Sequence, residues 1–209
     1  MSPVAGVILA GGQSSRMGGG DKCLLTLGKQ TLLGQVIERL AVQVSSIVLN
    51  ANGDASRFSD YPLPVVEDSF GGFQGPLAGI LAGMDWAAKA GHDQILTVSA
   101  DTPFFPNDLL TKFQEEQETS GSPIVLAATP GEPRRKHRHP TFGLWDVALR
   151  EDLRAALSSG VRKVVAWSDK HAGVEAEFPF VHDTDPFFNI NTQEDLIEAE
   201  KILKNQKHD

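Results

Sequence analysis

The residues best equipped for chemistry stand in a glycine-rich stretch, at the end of an apolar run, and in a basic run later in the chain. In "VILAGGQSSRMGGGDKCLL", residues 7–25, a plain apolar segment gives way to five glycines, Arg16 and an Asp-Lys pair. Successive glycines let backbone N–H groups approach a phosphate with no Cβ in the way, and Arg16 and Lys22 add full positive charges. The spacing is neither G-x-x-x-x-G-K-[ST] nor G-x-G-x-x-G, which disfavours a P-loop GTPase and a Rossmann dehydrogenase. A mobile surface loop would explain the glycines but has no need of the two cations. Asp101, in "SADTPF", is a hard oxygen donor suited to Mg²⁺ held mainly through phosphates and water. The same carboxylate could cap a following helix, although Pro103 and Pro106 place that helix further on.

Other polar groups fall where strands should end. Asn50 and Asn52 follow "SSIVLNA", and Glu67 and Asp68 end "LPVVED". Asn and Asp also serve turns, so any one of these has an ordinary explanation, but their convergence on one edge does not. Asn189 and Asn191 alternate along an extended segment and would point to the same side, toward a substrate or a metal-bound water. "EPRRKHRHPTFGLW" gathers Arg134, Arg135, Lys136, His137, Arg138 and His139 in an otherwise acidic protein. It reads as a loop, either solvated or docking an anionic substrate, and the charge balance favours the dock. Two histidines two residues apart and followed by Pro140 do not by themselves make a metal site.

These groups need a scaffold that brings distant segments together. Val4 to Ala10 is a continuous apolar run, as in a strand buried on both faces of a parallel sheet. Leu32, Leu33, Val36, Ile37, Leu40 and Val44 recur at helical spacing behind the N-cap Thr31. "GPLAGILAGMDWAAKAG" reads as a helix with Pro76 in its first turn and Gly91 past its end. "QILTVSAD" is a strand, a helix is expected from Pro106 to Glu118, and "PIVLAAT", a short "TFGLW" and "VEAEFPF" are further strands. A helix from Val147 to Leu157 ends at Gly160, and Thr192 caps a final helix. Alternating strands and helices predict an α/β fold, a Rossmann-like three-layer sandwich around a mostly parallel sheet, in one domain spanning 1–209. In such sheets ligands bind outside the carboxyl ends of the strands. Residues from about 131 to 173 could form a lid.

The 209 residues are 41% hydrophobic and 22% charged, which fits one folded domain. A net charge of −8 argues against nucleic acid and against an anionic membrane surface as partners. The single cysteine, Cys23, excludes a disulfide within one chain and reads as a small apolar filler. "MSPVAGVILAGG" has no basic leader region, and no apolar run is long enough to span a bilayer, so a cytoplasmic protein is expected.

"LAGGQSSRMGGGDK" resembles the L-A-G-G-x-S-x-R-M-G-x-x-D-K signature of nucleotidyltransferases of the nucleotide-diphospho-sugar transferase fold. "NAN", "VVED", "GPLAG", "DTPF", "HPTFGLW" and "NINTQEDL" follow in the order of the molybdenum cofactor guanylyltransferase (MobA) family. The first motif is shared with cytidylyl- and uridylyltransferases, while the whole set is more specific and covers nearly the full chain. The resemblance implies a Mg²⁺-dependent enzyme that transfers GMP from GTP to molybdopterin or Mo-molybdopterin and releases pyrophosphate. It implies that Leu9, Ala10, Gly11, Gly12, Lys22, Asn50, Asp68 and Asp101 bind GTP, and that Asp101 ligates the metal. Lys22, Asp101 and Arg16 would carry catalysis. Arg16, Gly79, His139, Pro140, Thr141, Asn189 and Asn191 would lie toward the acceptor. The N-terminal half would be mainly nucleotide-binding and residues 130–195 mainly acceptor-binding. Molybdoenzyme-specific chaperones and other cofactor-synthesis proteins are implied as partners, and a monomer is expected. A cytidylyl- or sugar-nucleotidyltransferase of the same fold, or a non-catalytic carrier of GTP or cofactor, remains an alternative on these residues.

Overall fold

The structure, a computed structural model, describes residues 3–11, 21–70, 75–131, 136–181 and 184–205, with the Lys136 side chain excepted. In chain order the strands are β1 (Ala5–Leu9), β2 (Thr26–Leu27), β3 (Gln30–Thr31), β4 (Ser46–Asn50), β5 (Val65–Val66), β6 (Gln94–Ser99), β7 (Ile124–Pro130), β8 (Lys136–Asp146) and β9 (Val174–Glu177). The α-helices are α1 (Leu32–Ala41), α2 (Pro76–Ala90), α3 (Leu109–Ser120), α4 (Arg150–Ser158), α5 (Val164–Lys170) and α6 (Gln193–Asn205).

Seven strands form one sheet in the order β5-β4-β1-β6-β8-β7-β9, and β2-β3 is a separate small hairpin. β1 is parallel to both β4 and β6, whereas β8 runs antiparallel to its neighbours β6 and β7. From β1 the chain passes outward to β4 and β5, then returns to place β6 on the other side of β1. The β1/β6 junction is thus a topological switch point, where parallel sheets open a crevice at their carboxyl ends.

Side-chain alternation along β1 divides the core. Ala5, Val7 and Leu9 pack with α2, α4 and α5, while Val4 and Ile8 pack with α1 and α3. The result is the expected three-layer α/β/α sandwich. A third cluster joins Leu27 of the hairpin and Leu32 to Ile190 and to Leu196, Ala199 and Ile202 of α6. This cluster holds the last helix beside the opening of the chain.

Helix boundaries follow local chemistry. The Thr31 hydroxyl accepts from Gly34 N–H at 3.0 Å, and Pro76 occupies the first turn of α2. α2 ends at Gly91, whose φ of 81° is the left-handed region that suits glycine. α3 starts at Leu109, later than Pro106, because Pro106 lies just before the helix and its carbonyl accepts from Leu109 N–H.

Two expectations are corrected. The described part of the expected lid, residues 136 to 173, is built into the sheet and core. Trp145 of β8 and Trp167 of α5 are fully buried and stack at 6.1 Å, and Leu153 of α4 is buried with them. α5, which the sequence reading did not separate, supplies part of that core. Nor is the basic run wholly a loop, since Lys136 to His139 continue β8 and pair with β7 from Pro130 to Ala127. The register of β7 and β8 shifts between Leu126, opposite Gly143, and Ala127, opposite His139, so Pro140, Thr141 and Phe142 bulge out. Pro140 has no N–H to give a ladder, which suits it to a bulge.

Candidate active site

The carboxyl ends of β1, β4, β5 and β6 come together as the sequence predicts. Ala10 N–H donates to Asn50 C=O at 2.9 Å, Ala100 N–H to Leu9 C=O at 3.1 Å, and Ala51 N–H to Val66 C=O at 3.0 Å. These bonds align four strand ends along one edge and fix the backbone of Leu9 and Ala10 at its centre, with Gly11 next in the chain. Gly12 and Arg16 lie outside the described residues.

Past β1, the chain re-enters the described structure at Asp21 and Lys22. The Lys22 ammonium lies 2.6 Å from Asp101 Oδ2 and donates to Asn191 Oδ1 at 2.6 Å. The Lys22 and Asp101 side chains are 19% and 17% exposed, so the pair is reachable from solvent yet shielded enough to keep much of its attraction. Asp101 Oδ1 accepts from Ser99 Oγ at 2.7 Å and from Thr102 Oγ1 at 3.4 Å, which orients the carboxylate. Ile190 N–H donates to the Asp101 carbonyl at 3.0 Å and brings Asn191 alongside.

Asn191 is set by the start of α6. Asp195 Oδ2 accepts from the N–H groups of Asn191 and Thr192, both at 2.8 Å, and Asp195 N–H donates to Thr192 Oγ1 at 3.1 Å. This is a capping box with Asp in the third helical position. Partial burial works to raise the Asp195 pKa. The two N–H donors, the Thr192 hydroxyl and nearby Lys22 outweigh it, so the carboxyl sits below its ordinary value. Asp195 went unremarked in the sequence reading, although the Thr-x-x-Asp spacing of "TQED" was a usable signal. Asn189 is exposed on the same segment.

A second polar group lines the crevice beside β4. Asp68 accepts through Oδ1 from Asn50 Nδ2 at 3.0 Å and through Oδ2 from Asn52 Nδ2 at 2.8 Å. Asp68 N–H returns a bond to Asn52 Oδ1 at 2.9 Å. Asn50 is buried and also donates to Val66 C=O at 3.3 Å. Arg57 Nε reaches Asp21 Oδ2 at 3.1 Å and its guanidinium donates to Asn52 C=O, tying the end of the glycine-rich stretch to this wall.

Gly79, in the first turns of α2, belongs to the same wall. A Cβ there would stand 2.2 Å from Asn50 Oδ1 and 2.9 Å from Leu9 Cδ2, so only glycine leaves room for the amide. Cys23 is buried, and desolvation, then Asp21 and Asp101, push its thiol up to about 12. It is packing material, as expected.

The residues assigned to the acceptor side divide. Asn191 meets Lys22, and Gly79 meets Asn50. His139 is buried at the far end of β8, next to the Pro140–Phe142 bulge. Thr141 is half-buried in that bulge. The Phe187 ring packs tilted against His139 at 4.5 Å and against Phe142 at 4.8 Å, linking β8 to the segment that leads to Asn191. Arg138 is no free dock for an anion, because its guanidinium is engaged by Glu175 and, at 2.9 Å, by Asp169. Burial opposes its charge, but these two carboxylates raise its pKa.

A switch-point crevice with a lysine-carboxylate pair can receive a phosphate chain. Residues 6–174 match the model of the MobA-like NTP transferase domain. The chain belongs to that family. The molybdenum cofactor guanylyltransferase of Bradyrhizobium sp. (strain ORS 278) is 46% identical over 209 residues, covering 99% of this chain and 96% of the relative. That of Rhodopseudomonas palustris (strain HaA2) is 47% identical, covering 94% and 90%. The crystal structure of molybdopterin-guanine dinucleotide biosynthesis protein A from Archaeoglobus fulgidus superposes with a TM-score of 0.75 at 23% identity, covering 97% of this chain and all of that one. A 4-diphosphocytidyl-2C-methyl-D-erythritol synthase from Anaerococcus prevotii gives 0.71 at 16% identity, covering 97% and 99%. At those identities the structures speak for the shared fold, which is that of the nucleotide-diphospho-sugar transferases. No helix among the described residues is long and apolar enough to cross a membrane.

Proposed function

We propose that this chain is a molybdenum cofactor guanylyltransferase, which transfers GMP from GTP to the terminal phosphate of molybdopterin or Mo-molybdopterin. The observation that carries the reading is the Lys22–Asp101–Asn191 constellation at the switch point, in a chain 46% identical over nearly its whole length to a curated enzyme of that name. An acceptor phosphate oxygen attacks the α-phosphorus, the bond to the bridging α–β oxygen breaks, and its electrons leave with pyrophosphate. This chemistry asks for positioning and for cancellation of developing charge, not for covalent help from the protein. An acceptor phosphate that is already ionised needs no general base.

In this reading Leu9, Ala10 and Gly11 offer backbone groups to the nucleotide, and Lys22 turns from Asp101 to the phosphates. Asp101 fits a divalent metal. It is a hard oxygen donor with a fixed orientation, and its present partner at Oδ2 is itself a cation. Mg²⁺ held there would neutralise triphosphate charge. Asn50, Asn52 and Asp68 form a rigid wall of amides and carboxylate, and Asp68 retains lone pairs with which to accept from the N–H edge of guanine. Gly12 on the nucleotide side, and Arg16, Gly79, Asn189, Asn191, His139, Pro140 and Thr141 on the acceptor side, complete the assignment, with residues 130–195 facing mainly the acceptor.

The deciding experiment incubates the protein with a molybdopterin-loaded acceptor, Mg²⁺ and labelled GTP. A GMP adduct on the pterin is expected, with GTP preferred over CTP, ATP and UTP. Turnover of CTP above GTP would overturn the reading.

A further inference from the structure

His137 and His139 lie two residues apart on β8, so their side chains leave the same face of the sheet. Alone they signify little. The fold adds Asp185, from the segment between β9 and α6, and one donor atom from each of the three residues falls within 4.8 Å of the others. His137 Nδ1 is 3.4 Å from His139 Nε2, and Asp185 Oδ1 is 4.0 Å from the same nitrogen. Thr129 Oγ1 approaches it as well, at 2.9 Å.

Three polar atoms thus converge on one ring nitrogen. An imidazole nitrogen carries either one hydrogen or one lone pair, so it satisfies only one of them at a time. A cation placed among His137, His139 and Asp185 would satisfy all three donors together. Four-coordinate zinc, with bonds near 2.0–2.1 Å, separates its ligand atoms by about 3.3 Å, a spacing that the histidine pair nearly has already.

The surroundings suit a metal. His139 is buried and packed against the tilted ring of Phe187, so its ring is oriented. Asp185 Oδ1 accepts from Phe187 N–H at 2.8 Å, the type of outer contact that orients a ligating carboxylate. His137 is exposed, so solvent and an ion can reach the group.

We infer that His137, His139 and Asp185 form a binding site for one divalent transition-metal ion of the zinc class, separate from Asp101 and with an open coordination position. Two imidazoles select against Mg²⁺, which prefers oxygen donors, and favour Zn²⁺ or Co²⁺. An ion there clamps the end of β8 to the segment that continues through Phe187 to Asn191, and so braces the acceptor side of the crevice.

The test uses full-length, tag-free, metal-depleted protein titrated with Zn²⁺ by calorimetry and with Co²⁺ by visible absorption. One equivalent should bind, with Co²⁺ bands of the intensity of a four- or five-coordinate site. His137→Ala and Asp185→Asn should each weaken binding by at least about tenfold, with circular dichroism and melting curves confirming that both variants fold. Asp101→Asn should leave the Zn²⁺ isotherm unchanged. Parent-like binding in both His137→Ala and Asp185→Asn, loss of binding in Asp101→Asn alone, or no binding at millimolar Zn²⁺ would each overturn the site.

Discussion

The two ends of the crevice solve the problem of buried polarity in opposite ways. At the β1/β6 junction full charges face one another. Lys22 holds Asp101 and Asn191, and the wall beside it is tied together by amide–carboxylate bonds. At the β7/β8 end the central group is an imidazole, crowded by more partners than it can satisfy. The first arrangement can trade its internal ion pair for an incoming phosphate and metal without exposing a bare charge. The second gathers two imidazoles and the Asp185 carboxylate around one point and is completed by adding a cation. The difference teaches that one edge is preset for an anion and the other for a metal, with the Phe187–Asn191 segment running between them.

The comparison breaks most sharply at Asp101. Asp101→Ala should keep the fold, since the side chain is partly exposed, and lower GTP-dependent pyrophosphate release by about a thousandfold, the upper range for removing one preorganised charge-stabilising group. Parent-like turnover would mean that the charged edge is not the reactive one. Lys22→Ala removes the opposite charge and should cost about a hundredfold in kcat/KM, measured with the same assay.

Gly79→Ala tests the wall in place of the ion pair. Its Cβ would displace the Asn50 amide from Asp68, so the KM for GTP should rise, and overpacking should lower stability by about 1–3 kcal/mol in denaturant titrations. A parent-like KM together with parent-like stability would show that Asn50 does not need its present position.

The smallest expected effects concern groups that support the charged edge without entering it. Asp195→Ala should cost about 1 kcal/mol at pH 7, the usual worth of a cap. The Asp195 carboxyl has a folded pKa below its unfolded value, so its contribution is present above the ordinary carboxylate range and is lost as pH falls through the folded value. The parent and variant melting curves should therefore converge in acid. Cys23, with its thiol pushed up to about 12, should resist iodoacetamide at pH 8 in the folded protein and react on unfolding, as read by mass spectrometry.

Legibility in the sequence followed the strand type. β1, β4 and β6 are local apolar runs ending in polar residues, so both the strands and their ligand-facing ends could be read directly, and Lys22, Asn50, Asp68 and Asp101 indeed meet along one edge. β8 was harder. Its basic first half mimics a loop because the charges of Arg138 are cancelled by Glu175 and Asp169, from elements more than thirty residues away in sequence. α5 is a single short stretch of seven residues, too brief for its period to stand out.

By itself the sequence determined the α/β class, the glycine-rich stretch with its cations, the strand-end carboxylate and the family, because each is written in short local motifs or in their order along the chain. Only the tertiary structure decided that Asn191 and Asp101 share one lysine, that Gly79 makes room for Asn50, and that Asp185 joins two histidines. Those facts depend on chain crossovers that bring residues well separated in sequence close together in space, and no local pattern records them.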